Sequence, residues 1–441
     1  MSVKLDTQEF LMRLENSGRI EKLATGLDNS KTAIHRWFPF YAGFSSSIVE
    51  EAIDFFKVAN TKSLIFDPFL GSGTTGVSCK KLGVDVVGNE INPFLHKICK
   101  IKMSQHTGVD VAGMRQEATK ILSEASNGWQ NIKIENEHPV LERCYPKDNL
   151  KKLIALRRLT SNTDYEKYFF LMLSRCLIPS AQVGINIPYI TWSSPKQPKE
   201  VFSLFKKYLS MICDDIESLR TSLKTENKAK VFRQDSRNTN NKLSPRSVDM
   251  VFTSPPYLNN FDYGEALKVF LYFWKFAHNW NEISKRIRQP SVTSATTHYN
   301  IADFCDMSRE EILGEEFTDT LPQLSAELVQ KAELIRKEMD LRKNSKKTFD
   351  LLTLLYFKDM FRVMKELERV VQKDSLSFFV VGDSAPYGVH VLTDVILGEM
   401  GLELGFSDYT LHPLRARGLK WTTLTYRHKV MLRESLLILR K

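Results

Sequence analysis

Ser63-Leu-Ile-Phe66, then Asp67-Pro-Phe-Leu-Gly-Ser-Gly-Thr-Thr-Gly76, then Val84-Asp-Val-Val-Gly88 is the stretch that decides the fold. The first piece is a short, mostly apolar run of the length expected for a strand buried on both faces. The second is a glycine-rich loop. Val77, Cys79 and Leu82 continue as a helix that stops at Gly83, a residue suited to the left-handed turn after a helix. The third piece is a second strand, ending in Asn89-Glu90. Together they make a strand-loop-helix-strand unit, the building block of a parallel sheet.

Outward from this unit the pattern repeats with interruptions. Upstream, an aromatic stretch starts at His35 (HRWFPFYAGF), and Ser45 to Ser47 can cap a helix from Ile48. Strand signals return at Lys230 to Arg233 and at Val248 to Thr253. A very apolar helix is expected from Gly264 to Trp280, and another helix around Leu354 to Val371. A buried strand follows in SLSFFVVGDS, then a helix over Val391 to Met400 and strands over Leu404 to Thr410 and Ser435 to Leu439. The expectation is an α/β, Rossmann-like core, with a mostly parallel sheet, helices on both faces and two largely helical insertions. Residues 1–34 form an N-terminal extension, and 35–99, 229–280 and 350–441 the core. Residues 100–228 are a helical insertion and a candidate for target recognition. Residues 281–349 are a second, charged insertion and a candidate nucleic-acid contact.

Bulk composition agrees with a globular chain. Of 441 residues, 42% are hydrophobic and 26% charged, enough apolar material for a sizeable core. No apolar run approaches the ~20 residues of a membrane helix, and the N-terminus lacks a signal-peptide pattern, so a cytoplasmic protein without membrane partners is expected. The six cysteines show no CxxC spacing, so they are expected to be reduced and mostly in the core, with no metal site. The net charge of +10 is compatible with a polyanionic partner. Residues 413–441 carry eight Lys/Arg against one acid, Glu434, and residues 336–347 carry six against two. Either cluster can neutralise phosphates, or be an ordinary solvated face or tail.

Gly71-Ser-Gly73-Thr-Thr-Gly76 satisfies GxGxxG, a weak signal by itself. A dinucleotide fold brings a pyrophosphate to this loop. Here Asp67 stands between strand and glycines and would repel it. A cationic cofactor suits the acid better, and S-adenosylmethionine carries an ammonium and a sulfonium but no phosphate. Small glycines let the backbone approach its methionine portion. Glu90, at the end of the second strand, sits where an acid can accept both ribose hydroxyls.

Thr253-Ser254-Pro255-Pro256-Tyr257 closes a strand. The two prolines fix the backbone and remove two N–H donors. The Ser254 side chain and the Pro255 carbonyl can accept hydrogen bonds from an amino group, and Tyr257 offers a face for stacking a base. Such a site would work by orientation and electrostatics. No cysteine lies near it, which argues against attack by a thiolate and hence against methylation of cytosine carbon.

DPFLGSGTT and TSPPY, in that order, resemble the cofactor-binding and catalytic motifs of the amino-directed, S-adenosylmethionine-dependent DNA methyltransferases. The resemblance covers about 35–98, 230–280 and 350–441. It implies a transfer to the exocyclic amino group of a base flipped out of double-stranded DNA. It also implies that Phe44, Asp67, Phe69, Gly71 and Gly73 line the cofactor site, with Glu90 on the ribose and Asp235 and Ser236 flanking the adenine. Ser254, Pro255, Pro256 and Tyr257 would then hold the base. Serine at the head of the motif resembles the cytosine-N4 branch more than the adenine-N6 branch. A restriction-modification role with a cognate endonuclease as partner would follow. The order of motifs leaves about 18 residues between Asp235 and Ser254, so recognition of the target falls to the insertions.

Weaker signals stay open. Arg415, Arg417 and Lys420 are candidate phosphate contacts. Asp262-Tyr263 can close over a base or cap the next helix, Gly382-Asp383-Ser384 reads first as a turn, and His35 as structural. The competing functions are methylation of RNA or of a protein amide by the same core, and a catalytically silent DNA-binding subunit. A nucleotide-dependent oxidoreductase is the least favoured.

Overall fold

The computed structural model describes residues 7–18, 20–40, 42–58, 63–185, 189–222, 227–342, 347–418 and 429–441. Strand β1 (Leu64–Asp67) and β2 (Asp85–Asn89) pair in parallel, Leu64 opposite Asp85 and Asp67 opposite Gly88. After a long excursion that includes a hairpin, β3 (Val183–Ile185) and β4 (Ile190–Pro195), the chain returns as β5 (Ala229–Phe232) on the outer side of β2. It then crosses to the far side of β1 as β6 (Val248–Thr253) and continues as β7 (Val371–Gly382). Strands β8 (Asp408–Arg417) and β9 (Leu432–Arg440) complete a sheet of order β5-β2-β1-β6-β7-β9-β8. Within this sheet β9 runs against the rest, inserted antiparallel between β7 and β8. This is the Rossmann-like methyltransferase architecture expected.

Burial on both faces explains why the strands read as continuous apolar runs rather than alternating ones. Ile65, Val86, Met250, Phe252, Phe378, Val380, Leu436 and Ile438 pack on one face. Covering them are α1 (Thr7–Asn16), which contributes Phe10, α2 (Ser46–Phe55) and α3 (Thr74–Leu82). Their strand neighbours Phe66, Val87, Val251, Phe379, Val381, Leu437 and Leu439 point the other way. There they meet α4 (Pro322–Asp340), α5 (Phe349–Val370) and α6 (Thr393–Glu403). A third apolar cluster fills the 100–228 region and is continuous with Trp37, Phe38, Phe94 and Phe270 of the core segments.

Two expectations need correction. The strand placed over Leu404 to Thr410 begins only at Asp408, because Leu404 caps the preceding helix and Gly405 turns the chain at φ 102°. The helix expected from Gly264 to Trp280 is broken into Tyr263–Ala266 and Lys268–Phe273, and ends where Lys275 takes φ 56°; another short helix starts at Trp280. The first insertion is helical except for the β3–β4 hairpin. Among the described residues no helix is long and apolar enough to cross a membrane.

Candidate functional site

Strand order reverses between β1 and β6, so the loops leaving their carboxyl ends diverge and leave a crevice, the usual ligand position in such sheets. The crevice here encloses about 870 Å³ of empty space, open solvent at its mouth included. It draws its walls from six separate parts of the chain: Phe40 with Ala42 to Phe44, Pro68 to Ser72 with Thr74, Asn89 to Asn92 with Leu95, Gln234 to Ser236, Ser254 with Pro256 and Tyr263, and Ile287 with Pro290 to Val292.

The glycine loop forms the floor. Gly71 at φ 53° and Gly73 at φ 89° adopt backbone conformations that side chains disfavour, and a Cβ on Gly73 would stand 3.0 Å from the Cys99 sulfur. Below the loop, the buried Lys102 ammonium donates to the Ser72 carbonyl at 2.8 Å. Burial lowers its pKa to about 8.

Of the expected cofactor residues, Phe44, Phe69, Gly71, Glu90, Asp235 and Ser236 line the cleft, together with Ser254 and Pro256 of the catalytic motif. Asp67, Gly73, Pro255 and Tyr257 are not on its wall. Asp67 is 1% exposed and lies beneath the loop, where its Oδ1 accepts from the Thr253 hydroxyl at 2.6 Å and from the Phe69 amide at 2.9 Å. It therefore ties β1 to β6 at the point where they part. Desolvation raises its pKa to about 6, and hydrogen bonds led by Thr253 only partly offset this. Glu90 accepts from the Asn92 amide at 2.7 Å, and desolvation raises its pKa to about 8.

Arg237 holds Asp235. Its guanidinium reaches both Asp235 oxygens, at 2.8 to 3.1 Å, and both Asp359 oxygens, at 3.0 and 3.1 Å. It also donates to the Gln289 carbonyl at 2.7 Å, next to the Pro290 to Val292 wall. Ser236 donates to the Pro68 carbonyl, linking the Gln234 to Ser236 loop to the glycine loop.

Ser254 donates its hydroxyl hydrogen to the Val380 carbonyl at 2.9 Å and is also hydrogen-bonded with the Tyr257 hydroxyl, which leaves its oxygen able to accept from one incoming donor. Tyr257 packs against Gly382, where any Cβ would stand 2.8 Å from the ring, and the Arg417 guanidinium lies over the ring at 5.1 Å. Arg415 and Arg417 are not free surface cations. Both face the buried Glu434 directly across from β8, Arg417 at 3.6 Å. Lys420 lies outside the described residues. Asp262 accepts from the Glu265 amide at 3.0 Å and so caps the helix Tyr263–Ala266. His35 is buried at 1% exposure, and Cys305 alone among the cysteines is exposed.

The sequence reading missed Phe40, Ile91, Asn92 and the Ile287 to Val292 wall, while Tyr263, paired there with Asp262 as able to close over a base, does line the cleft. Asn92, next to Pro93, carried a cap signal and does cap the helix Pro93–Lys102. Residues 287–292 belong to no motif and reach the site only through the tertiary fold.

With this geometry in place, comparison with known proteins is informative. Residues 28–101, the aromatic stretch through the glycine loop and Glu90, match a family model described as DNA methylase. Over this stretch the chain resembles the DNA methylases. It is 25% identical over 275 residues to the Type II methyltransferase M.BsoBI of Geobacillus stearothermophilus, covering 55% of this chain and 53% of that one. The chain thus spans about half the length of that relative. It is 21% identical over 427 residues to M.AvaI of Nostoc sp., covering 90% of this chain and 83% of the relative. M.MvaI of Kocuria varians is 20% identical over 409 residues, with 88% and 84% covered.

The cleft fits S-adenosylmethionine on its own features. Glu90 and Asp235 are acceptors in its lining, Phe44, Phe69 and Ile91 supply apolar surface, and the buried Asn92 Nδ2 has no hydrogen-bond partner among the described residues. Among the described residues no cluster of cations lines it, as a pyrophosphate would require.

Proposed function

We propose that this protein methylates the exocyclic amino group of a base in double-stranded DNA, using S-adenosylmethionine, with cytosine N4 preferred over adenine N6. The observation that carries the reading is Ser254. It stands on the cleft wall at the switch point, with its hydrogen committed to Val380 and its oxygen, beside the Tyr257 hydroxyl, left as an acceptor. It can therefore accept from an amino group, not donate to it. The comparisons support the class of reaction, since the relatives are named as Type II methyltransferases.

Bound S-adenosylmethionine would supply an electrophilic methyl group on a sulfonium. Glu90 would accept from its ribose hydroxyls, Asp235 and Ser236 would flank the adenine, and the glycine loop would admit the methionine portion. Ser254 Oγ and the Pro255 carbonyl would accept from the target amino group, and so localise a lone pair that otherwise delocalises into the ring. The prolines hold both acceptors at fixed positions, which is where the rate gain would come from. Serine at the head of the motif, as in the cytosine-N4 branch that it resembles, favours the cytosine reading. Restriction-modification, with a cognate endonuclease as partner, is the biological setting proposed.

The test is transfer from labelled S-adenosylmethionine to mixed-sequence duplex DNA followed by nucleoside analysis. Label in N4-methylcytosine supports the whole reading, and label in N6-methyladenine keeps the class but reverses the base. Label in RNA or protein alone overturns it.

A further inference from the structure

Among the described residues of the first insertion, the β3–β4 hairpin is the one exposed ribbon. Its inner strand is buried, with Val183, Gly184 and Ile185 packed inward. Its outer strand presents Thr191, Trp192 and Ser193 to solvent, Trp192 at 41% exposure, and Tyr189 just before it is 40% exposed. An exposed edge strand with no charged side chain of its own is a pairing hazard unless something covers it in use.

Its surroundings carry a net positive charge. The Arg143 guanidinium lies 4.1 Å over the Trp192 ring. Lys147, Lys196 and Lys199 are exposed nearby in the chain, and none of these four cations has a carboxylate partner among the described residues. The same stretches hold two exposed acids without partners, Glu142 and Asp148, while Glu200 is neutralised by Lys152 at 3.0 Å. An aromatic ring stacked on a guanidinium, with further unpaired cations close by in the sequence, suits a polyanion that also offers flat surfaces.

The ribbon is anchored beside the reacting edge. The Asp262 amide donates to the Tyr189 hydroxyl at 3.4 Å, and Asp262 lies five residues after Tyr257 and next to the cleft residue Tyr263. A two-stranded ribbon is also of a size that the ~12 Å major groove of B-DNA admits.

We propose that the outer strand of this hairpin, with Tyr189 and Trp192 and the cations Arg143, Lys196 and Lys199 around it, is a docking surface for duplex DNA. The inference rests on the reading of the protein as a DNA methyltransferase and adds where the duplex lies. The strand sets the duplex against the edge at which the target base reaches Ser254. A protein partner would instead need an apolar anchor surface, and the outer strand offers hydroxyls and one stacked tryptophan.

The experiment uses the full chain and sheared mixed-sequence genomic duplex. Binding is titrated at several salt concentrations for wild type, for Trp192→Ala, and for the triple variant Arg143→Gln, Lys196→Gln, Lys199→Gln. The expected result is at least a tenfold weaker affinity in the triple variant and a shallower salt dependence, by ~0.9 in slope for each phosphate no longer neutralised. S-adenosylmethionine binding and melting temperature should stay at wild-type values. Equal affinity and slope in the triple variant would overturn the proposal. Wild-type self-association that the variants abolish, with DNA binding intact, would also overturn it, in favour of a second copy as occupant. A Ser193→Cys protein carrying a photo-crosslinker gives a readout independent of variant stability, and absence of a DNA adduct counts against the ribbon. If the wild type methylates DNA but the triple variant binds it equally well, the docking surface alone fails. If the wild type neither binds nor methylates duplex DNA, the functional reading fails with it.

Discussion

Thr253, the last residue of β6, donates its hydroxyl to the carboxylate of Asp67, the last residue of β1, across 2.6 Å. The two residues end the strands between which the cleft opens, so the bond acts as a stitch at its base. Thr253→Val should leave the buried Asp67 short of a donor. The expected cost is about 1–3 kcal/mol of stability, read as a lower urea midpoint, with weaker S-adenosylmethionine binding because the glycine loop starts at Asp67. Unchanged stability would show that the stitch is dispensable.

Ser254→Ala removes an acceptor for the target amino group but touches no residue expected to hold the cofactor. Turnover should fall on the order of a hundredfold, with cofactor affinity within about twofold of wild type. Single-turnover transfer and equilibrium cofactor binding separate the two. Loss of cofactor binding would reassign Ser254 to the cofactor.

Glu90 and Asp67 make the protein sensitive to pH in a defined direction. Burial raises their pKa values to about 8 and about 6, above their usual 4.5 and 3.8. The folded state thus holds protons that the unfolded chain releases. The resulting stabilisation is complete below about pH 4, and is lost as pH rises through 6 for Asp67 and 8 for Glu90. The cofactor-free protein should therefore melt lower at pH 8 than at pH 5.5, and Glu90→Gln should flatten the upper part of that fall. Cofactor affinity should run the other way, rising from pH 6 to 9 as Glu90 ionises and its oxygens become better acceptors for the ribose hydroxyls. Isothermal titration across this range checks both signs, and the variant should show no rise.

Arg237 joins Asp235, Asp359 and the Gln289 carbonyl. Arg237→Met strands two mostly buried carboxylates, so a loss of about 3–5 kcal/mol is expected. Arg237→Lys keeps the charge but cannot reproduce the two-sided fork, and should recover part of the stability while KM for S-adenosylmethionine stays raised. Thermal melts together with KM determinations would check this.

Arg415→Gln and Arg417→Gln should lower stability, since each removes a partner of Glu434, which is 4% exposed. The salt dependence of DNA binding should change little for Arg415→Gln. A clear drop in slope would restore the sequence reading of Arg415 as a phosphate contact.

The sheet was legible because each of its parts is local. A strand buried on both faces announces itself by an unbroken apolar run, as in Leu376 to Val381 with its single serine, and Gly71 and Gly73 mark positive φ within a few residues. What was not legible depends on distant pairing. The one acid among the C-terminal cations, Glu434, proves to stand directly opposite Arg415 across two strands, so a cluster that looked free is partly neutralised. Asp67 carried the right chemistry for a cationic ligand, but Thr253, 186 positions later, draws its carboxylate under the loop. The Ile287 to Val292 wall has no motif, and only Arg237 and the fold of the second insertion bring it to the cleft.

That wall has a consequence for cooperativity. A ligand held at once by Phe44, Glu90, Asp235 and Val292 spans nearly 250 positions of chain. Its arrival would fasten together segments far apart in the sequence, including the second insertion, whose α4 packs on one face of the sheet. Occupancy should then behave like a remote crosslink. Amide exchange would slow in the 281–349 segment as much as in the glycine loop, and trimming that segment would loosen the grip on a small molecule whose recognised motifs all lie elsewhere.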